Sequence, residues 1–218
     1  RSAFYVPSSL TGISGASVSE KKDYGLVSRG FFGPRFYTVE EVSGIRPSEL
    51  TVTADWVTRP ETEEQLRYTQ AEAVYRDFVY ETCAVPDPEL QLLLEELFWR
   101  DYHSENDGIY SAVRQVREKL NELVSYTTTI EKYPYEDNPI RWFLTVSRQG
   151  NAAYYASAAA EALRVHGIPA RYAEGDYVSG NALTQSEDGS VTVTDRDAHA
   201  WVEVYFDGIG WLPIDVTP

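Results

Sequence analysis

The stretch at residues 148–172, RQGNAAYYASAAAEALRVHGIPARY, constrains the fold of this chain most strongly. Its alanine-rich middle has high helix propensity and predicts a helix from about Ala152 to His166. Gly167 followed by Pro169 is the usual order of residues at a helix C-terminus, so we expect the helix to end there. The letters ARY then begin a run that is typical of a β-strand.

Four stretches from residue 170 onwards are rich in β-branched and aromatic residues: ARYAEGDYV, SVTVTDR, HAWVEVYF and GWLPIDV. EDGS and DGIG lie between them as turn signals, so the pattern predicts an antiparallel meander. Helical patterns dominate the preceding part of the chain. A helical half followed by a β half favours an α+β fold over alternating βαβ units, and we expect the helix at 152 to pack on the antiparallel sheet.

Three segments differ in composition along the chain. Residues 1–60 contain many Gly, Ser and Pro and short strand candidates such as RFYTV and ELTVTADWV, which predict a small strand-and-loop region. Residues 61–135 carry three helical patterns and a short strand candidate, YTTTIEKYP. Residues 136–218 hold the helix and strands described above and are predicted to form the core of the domain.

The first and third helical patterns place apolar residues at helical spacing. In TEEQLRYTQAEAVYRDFVYETC these residues are Leu66, Ala73, Val74, Phe78 and Val79. In NDGIYSAVRQVREKLNELVSY they are Ile109, Val113, Val116, Leu120 and Leu123, all on one face. DPELQLLLEELFWRDY lies between these two and is the second predicted helix.

Composition narrows the classes of function. The chain has 34 acidic and 19 basic residues and a formal net charge of −15, which would repel a nucleic-acid backbone or an anionic lipid surface. We therefore expect no nucleic-acid partner. The one cysteine, Cys83, cannot form an intramolecular disulfide, and three scattered histidines do not have zinc-site spacing, so we expect no metal.

The chain carries no signal of membrane insertion. No apolar run approaches the ~20 residues that a membrane-spanning helix needs. The sequence starts at Arg1 and contains no methionine. We expect a soluble segment of a longer protein, whose anchoring or targeting sequences lie elsewhere.

His199 and Asp215 should be neighbours in the sheet. His199 begins one predicted strand and Asp215 ends the next, and the DGIG turn between them pairs the strands antiparallel. A carboxylate that holds one ring nitrogen of a histidine orients the ring to act as a base through its other nitrogen. The alternative is a cross-strand polar pair without a catalytic role.

A nucleophile would complete this pair, and the N-terminus of the helix that follows Gly150 is a suitable position for it. Unpaired N–H groups and the helix dipole at such an end lower the pKa of a thiol and stabilise an oxyanion. The residues at this position, however, are Ala152 and Ala153.

Three separated motifs resemble the transglutaminase-like superfamily of papain-type thiol enzymes. That family has a glycine, one spacer and a cysteine at a helix start, then a GIPAR turn; GNAAYYASAAAEALRVHGIPARYAEGDYV resembles this pattern except for the cysteine. DAHAWVEVYFDGIGWLPIDVTP resembles its histidine and aspartate motifs. The resemblance spans about residues 140–218. YRDFVYETC and DPELQLLLEEL further resemble bacterial membrane-tethered members.

Carried onto this chain, the resemblance makes His199 the general base and Asp215 its orienting carboxylate, and it places the nucleophile at Ala152. In a cysteine-bearing form it implies thiolate attack on a protein or peptide amide, loss of the amine and a thioester. Water then gives hydrolysis and an amine such as lysine gives transamidation, and the motifs leave this choice open.

The resemblance also implies a papain-like core and a location. Bacterial members of this type are commonly surface-exposed domains tethered to the membrane. The expected location is therefore the extracellular face of the membrane, with cell-wall or surface proteins as substrates. Some animal relatives require calcium, but no acidic loop of EF-hand type is visible, so we expect no obligatory cofactor.

Ala152 cannot attack a carbonyl, so the chain as written is expected to lack covalent thiol catalysis. One explanation is that the natural cysteine was deliberately replaced by alanine. The other is that the protein is a natural pseudoenzyme that binds peptide or cell-wall material in the same cleft. The first is favoured because His199 and Asp215 persist in full family context. A third hypothesis, an interaction scaffold, requires these three side chains to lie far apart.

Other residues have simpler interpretations. Cys83 is expected to be a semi-buried structural thiol, and His103 a solvated loop residue. His166 lies in the last turn of a helix, where the dipole favours a cation, and is expected to be structural. Glu95 and Glu96 are expected to be solvated, although a glycosidase with two carboxylates stays open.

Residues near the nucleophile position are further candidates. Trp142, Gln149 and Asn151 lie close to Ala152 in the sequence and are candidates for substrate or oxyanion contacts. Aromatic residues inside the motifs are expected to pack between helix and sheet, namely Tyr154, Tyr155, Trp201 and Trp211.

Overall fold

The computed structural model describes residues 57–102, 108–130, 137–178 and 191–218, together with four strands nearer the N-terminus. The chain divides into two compact units, Arg1–Val52 and Thr53–Pro218. The division at residues 60 and 135 expected from composition stays a prediction.

The described part of the N-terminal unit consists of four strands: β1 (Leu10–Ser14), β2 (Val18–Glu20), β3 (Leu26–Ser28) and β4 (Thr38–Glu41). β1 pairs antiparallel with β4, and β2 pairs antiparallel with β3. The predicted strand RFYTV overlaps β4 at Thr38 and Val39. The candidate ELTVTADWV lies outside the described residues except for its last residue.

Within its described residues, the second unit contains the helices α1 (Glu63–Cys83), α2 (Gln91–Leu94), α3 (Gly108–Leu123), α4 (Pro139–Trp142) and α5 (Ala152–Val165). π-helical turns extend α2 through Glu95–Trp99 and α4 through Phe143–Ser147. None of the helices within the described ranges is long and apolar enough to cross a bilayer.

Among the described residues of this unit, two short strands precede α5 and three longer strands follow it. β5 (Ser125–Tyr126) and β6 (Gln149–Gly150) form a short parallel pair. β7 (Ala170–Asp176), β8 (Ala198–Phe206) and β9 (Gly210–Ile214) form an antiparallel sheet in the order β7-β8-β9. The predicted α+β fold is confirmed.

Helix α5 lies at the centre of the core. Eight of its 14 residues are buried, and most of these are alanines, so it is apolar on nearly every side. One side packs against β7 and β8, and another against α2, α3 and α4. Small side chains let the backbones approach closely, while Tyr155 and Leu163, both fully buried, fill the space towards the helical layer.

The two ends of α5 follow from local sequence. Asn151 caps the start, since its side-chain oxygen accepts from the Tyr154 N–H at 3.4 Å. At the other end Gly167 has a φ of +77°, and the N–H groups of Gly167 and Ile168 donate to the carbonyls of Arg164 and Leu163. This Schellman arrangement confirms the predicted helix end.

Helix α1 buries a different face from the one predicted. Leu66, Val74 and Phe78 are 46%, 74% and 54% exposed, whereas the helix buries Glu72 and Val79. The apolar spacing therefore gave the wrong face for most of its residues. The reason is that α1 contacts the polar turn between β8 and β9 rather than the main core. Helix α3, by contrast, packs the predicted residues against the core.

Glu72 is the centre of the contact between α1 and the β8–β9 turn. Its carboxylate accepts from the Tyr205 hydroxyl at 2.8 Å and from the Gly208 N–H at 2.9 Å. Arg76, one turn along the helix, lies 3.7 Å from both Glu72 and Asp207. Burial and the hydrogen bond to Glu72 raise the pKa of Tyr205 above its ordinary value. A buried carboxylate is tolerated here because hydrogen bonds and a cation compensate it.

Two strand predictions differ from the structure. In the described residues 191–197 the stretch SVTVTDR forms no strand, because the Asp197 carboxylate accepts from the N–H and hydroxyl of Thr194 at 2.7 and 3.0 Å and closes a turn. The candidate YTTTIEKYP is a strand only at Tyr126, which belongs to β5. Residues 127–130 are irregular, and residues 131–136 lie outside the described part.

The Glu72 contact predicts unequal effects of two tyrosine substitutions. Tyr205→Phe should lower the free energy of unfolding by about 1–3 kcal/mol, because it removes a buried donor to a charged acceptor. Tyr80→Phe is the matched control: its hydroxyl donates to Asp207 at 3.2 Å on the surface, so a change within about 0.5 kcal/mol is expected. Urea unfolding measures both, and equal losses would contradict this account.

Candidate active site

His199 and Asp215 lie together at one end of the antiparallel sheet. Val202 pairs with Ile214, so continuing that register places Asp215 opposite Trp201 and diagonal to His199 on the same sheet face. His199 Nε2 lies 2.9 Å from Asp215 Oδ2. The hairpin therefore brings the two residues into contact, as the antiparallel pairing requires.

The contact identifies which ring nitrogen of His199 is engaged. Because Nε2 faces the carboxylate, Nδ1 is the nitrogen left to take or give a proton during a reaction. The side chain is 18% exposed, and the ring of Tyr177 lies beside it with centroids 5.9 Å apart. Gly175 of β7 pairs with His199 across the sheet. The imidazole is thus partly shielded while one nitrogen remains uncommitted to Asp215.

Asp215 is held by Thr217 as well as by His199. The Thr217 N–H and hydroxyl both donate to Asp215 Oδ1, at 2.9 and 2.7 Å. Burial opposes ionisation of this carboxyl, but the two Thr217 hydrogen bonds and His199 outweigh burial and lower the pKa of Asp215 below its ordinary value. The group is therefore a carboxylate at neutral pH.

Ala152 is the first residue of α5 and is buried, with 6% of its surface exposed. It clusters with Ala156, one turn further along the helix, and with Ala200 of β8. Ala200 follows His199 directly in the chain. The helix start and the His199–Asp215 pair are therefore at the same end of the sheet.

The turn before α5 is held by backbone contacts. The N–H of Ser125 donates to Arg148 and that of Thr127 to Gly150, both at 2.9 Å, which ties the turn to β5. A Cβ on Gly150 would lie 2.7 Å from the Phe143 ring and 2.9 Å from Tyr154 Cβ. Only glycine fits this close approach without displacing its neighbours, so the position of the helix start depends on it.

The three candidates for substrate contact lie in different environments. Trp142 is buried, and its ring centroid lies 6.1 Å from that of Tyr154. Gln149 has an exposed side chain in β6, and Asn151 uses its side chain to cap α5. Gln149 and Asn151 directly precede the first turn of α5, and their roles in binding stay predictions.

The remaining single residues fit structural interpretations. Cys83 is half-buried at the end of α1, with its sulfur 3.5 Å from the Thr82 hydroxyl. Glu95 and Glu96 are exposed, and Glu96 pairs with Arg100 at 2.6 Å. His103 lies outside the described residues.

His166 caps the C-terminus of α5 and stacks on Trp99. The two ring centroids are 4.1 Å apart, with an angle of 12° between the planes, and Tyr102 contacts the imidazole edge. Desolvation by these neighbouring rings lowers the pKa of His166 below its ordinary value. The cation expected from the helix dipole is therefore disfavoured, because desolvation by the aromatic rings is the larger effect.

Thr217 and Tyr177 contribute to the site and were not singled out from sequence. Thr217 follows Asp215 by two residues, a spacing at which side chain and backbone often hydrogen-bond to an aspartate, so a signal was present. Tyr177 comes next to His199 only through β7–β8 pairing, and no local pattern indicates it. In the described part of the chain, no three His, Cys, Asp or Glu side chains gather as a metal-binding group.

A family model described as the transglutaminase-like superfamily matches residues 99–216, more than half of the chain. The chain belongs to this superfamily. The match includes α5, the sheet, His199 and Asp215, so the predicted family is confirmed.

Two curated relatives are similar over this region. YebA of Bacillus subtilis, described as an uncharacterized protein, is 33% identical over 117 residues, which cover 52% of this chain and 16% of YebA. A protein-glutamine gamma-glutamyltransferase of Pseudomonas aeruginosa is 32% identical over 131 residues, covering 60% of this chain and 18% of the relative. The chain therefore spans less than a fifth of the length of either relative.

A solved structure is similar over nearly the whole chain. The periplasmic domain of TgpA from Pseudomonas aeruginosa, in a crystal structure with bound ethylmercury, aligns with a TM-score of 0.57 and 21% identity. The alignment covers 99% of this chain and 67% of that domain. At this identity the similarity concerns the fold, and it confirms the predicted transglutaminase-like α+β class.

The stacked His166 predicts a pH dependence of stability. Its folded-state pKa lies below the ordinary value of 6.5, so the unfolded chain binds more protons in the window between the two pKa values. Stability from this residue is complete above about pH 6.5 and is lost as pH falls through that window.

The variant His166→Phe tests this sign, because it keeps an aromatic ring on Trp99 but cannot titrate. The thermal midpoint of the parent should fall more steeply between pH 7.5 and pH 5 than that of the variant, as measured by circular dichroism. All other ionisable groups are the same in both proteins, so their contributions cancel in the difference. Parallel curves would refute a lowered pKa at His166.

Proposed function

We propose that this chain is the core of a transglutaminase-like thiol acyltransferase or cysteine protease, acting on protein or peptide amides through a Cys-His-Asp triad. His199 is the general base, Asp215 orients it, and position 152 is the nucleophile position. The observation that carries the proposal is the 2.9 Å contact between His199 Nε2 and Asp215, at the sheet end where α5 begins. Residues 136–218 hold all three positions.

In a form with cysteine at position 152, His199 Nδ1 takes the thiol proton and leaves a thiolate–imidazolium pair. The thiolate adds to the amide carbonyl and gives a tetrahedral oxyanion. As the oxyanion collapses, the C–N bond breaks and the imidazolium gives its proton to the leaving amine. The thioester then reacts with water to give a carboxylic acid, or with an amine to give a new amide, and the thiol is restored.

The start of α5 favours both charged species of this sequence. A helix of 14 residues presents unpaired N–H groups and the positive end of its dipole at position 152. Such an end lowers the pKa of a thiol and stabilises an oxyanion formed beside it. The turn fixed by Gly150 holds this helix end in place.

The chain as written lacks the nucleophile, and we propose that alanine replaces a natural cysteine. A methyl group cannot form a thioester, so no covalent turnover is expected. A Cys→Ala replacement removes only the sulfur atom. It therefore keeps the packing against Ala156 and Ala200 and removes the reactive thiol. The retention of His199 and Asp215, in contact and in full family motifs, supports this origin.

A natural pseudoenzyme is the second candidate. The observation in its favour is that the Ala152 methyl packs with two other alanines, Ala156 and Ala200, as a small residue would in a natural protein. Such a protein would bind a peptide or cell-wall material in the same cleft without converting it. The codon at position 152 in the encoding gene separates the two: cysteine supports the enzyme and alanine the binder.

Partners and location follow from the relatives. One relative is named a protein-glutamine gamma-glutamyltransferase, which supports protein amides as acyl donors. A periplasmic domain shares the fold, which supports a place outside the cytoplasmic membrane. We propose a domain on the extracellular face of a bacterial membrane, tethered by other segments of a longer protein, with surface or cell-wall proteins as substrates.

Alkylation of an introduced thiol tests the proposal. In Ala152→Cys, iodoacetamide should modify position 152 at least tenfold faster than Cys83 at pH 7, because a thiolate forms there at a lower pH. Intact mass spectrometry with peptide mapping measures both rates in one sample. Adding His199→Gln should reduce the rate at position 152 to that of an ordinary thiol.

The two thiols supply an internal control, and Cys83→Ser in the same background removes the competing reaction. If position 152 reacts no faster than Cys83 while the protein remains folded, the thiolate machinery is absent. The enzyme proposal then fails and the binding domain takes its place.

A further inference from the structure

We propose that Thr217 is a positioning residue of the site, which holds the Asp215 carboxylate in the orientation that engages His199. The inference rests on the function proposed above, since it concerns the same three positions. Thr217 is not itself a reacting group. It acts through Asp215 and, through it, on the histidine.

The geometry divides the two carboxylate oxygens between different partners. Oδ1 accepts two hydrogen bonds from one residue, the Thr217 hydroxyl at 2.7 Å and its N–H at 2.9 Å. Oδ2 faces His199 Nε2 at 2.9 Å. Two donors on one oxygen restrict the rotation of the carboxylate, which keeps the other oxygen directed at the imidazole.

Such a constraint is needed because Asp215 lies at an open position. It follows the last residue of β9, and its side chain is 48% exposed. A carboxylate this exposed would otherwise rotate and exchange its contacts with water. The hydrogen bonds from Thr217 hold the Asp215 carboxylate in one orientation, as burial does for side chains in the core. Thr217 is only two residues away in the chain.

The charge balance around Asp215 agrees with this role. Among the described residues, His199 of β8 is the titratable group that acts on the carboxyl, and the Thr217 donors add to its effect. Together they keep the carboxyl ionised although its partial desolvation opposes ionisation. Tyr177, which follows β7, reaches the His199 ring rather than the carboxylate.

A direct test follows the titration of the Asp215 carboxyl carbon by ¹³C NMR in the chain as it stands. Thr217→Val keeps the shape of the side chain and the backbone donor but removes the hydroxyl, so the titration midpoint of Asp215 should move upward. Thr217→Ser keeps the hydroxyl and should restore the parent midpoint. Asp215→Asn assigns the signal.

A second test measures the effect on the histidine through reactivity. In the Ala152→Cys background, Thr217→Val should slow alkylation at pH 7 about tenfold, the scale of one lost hydrogen bond to a charged group. The pH at which alkylation reaches half its maximum should also move upward. Thr217→Ser should again restore the rate.

Thr145→Val is the matched control, because it removes another threonine hydroxyl, one that donates to the Arg141 carbonyl at 2.8 Å on the surface. A general loss of stability would lower alkylation at every pH without moving its midpoint. Only a change in the histidine–carboxylate pair moves the midpoint.

The outcomes separate this inference from the proposed function. If position 152 reacts fast and depends on His199, but Thr217→Val changes neither midpoint, the function stands and the role of Thr217 is refuted. If position 152 is unreactive, the function fails, and the NMR titration still decides: an upward shift in Thr217→Val that Thr217→Ser reverses supports the role, and an unchanged midpoint refutes it.

Discussion

The burial of α5 between the sheet and the other helices is the constraint on which the rest of this unit depends. Its alanine side chains let β8 approach closely, and Tyr155 and Leu163 fill the opposite side. Because the helix is enclosed, its start cannot shift without moving the sheet. The position of residue 152 relative to β8 is therefore set by the hydrophobic core together with the turn at Gly150.

At the end of the sheet that carries His199, where the hydrophobic core ends, local hydrogen bonds hold the chain in place. Asn151 caps the helix, Thr217 holds Asp215, and Asp197 closes the turn that leads into β8. Each is a short-range contact between a side chain and the backbone or a neighbouring residue. The sheet end is thus ordered by short-range hydrogen bonds, and His199 stays partly exposed there.

The parts of the fold that were predictable from sequence are those with local signals. The C-terminal end of α5 follows from Gly167 and Pro169, and the contact of His199 with Asp215 follows from a hairpin around DGIG. The buried face of α1 was not predictable, because no local signal marks Glu72 as the residue that meets Tyr205. Tyr177 likewise comes next to His199 only through strand pairing.

The polar contact of α1 has a consequence for what counts as the domain. The family match begins at residue 99, yet Glu72 and Tyr75 of α1 hydrogen-bond to Tyr205 and Trp211 on the sheet. A fragment that starts at the family boundary would leave the Tyr205 hydroxyl and the Trp211 indole N–H without these partners. A fragment shortened to the family boundary is therefore expected to be less stable than one that keeps α1, because these contacts of the sheet lie outside the matched segment.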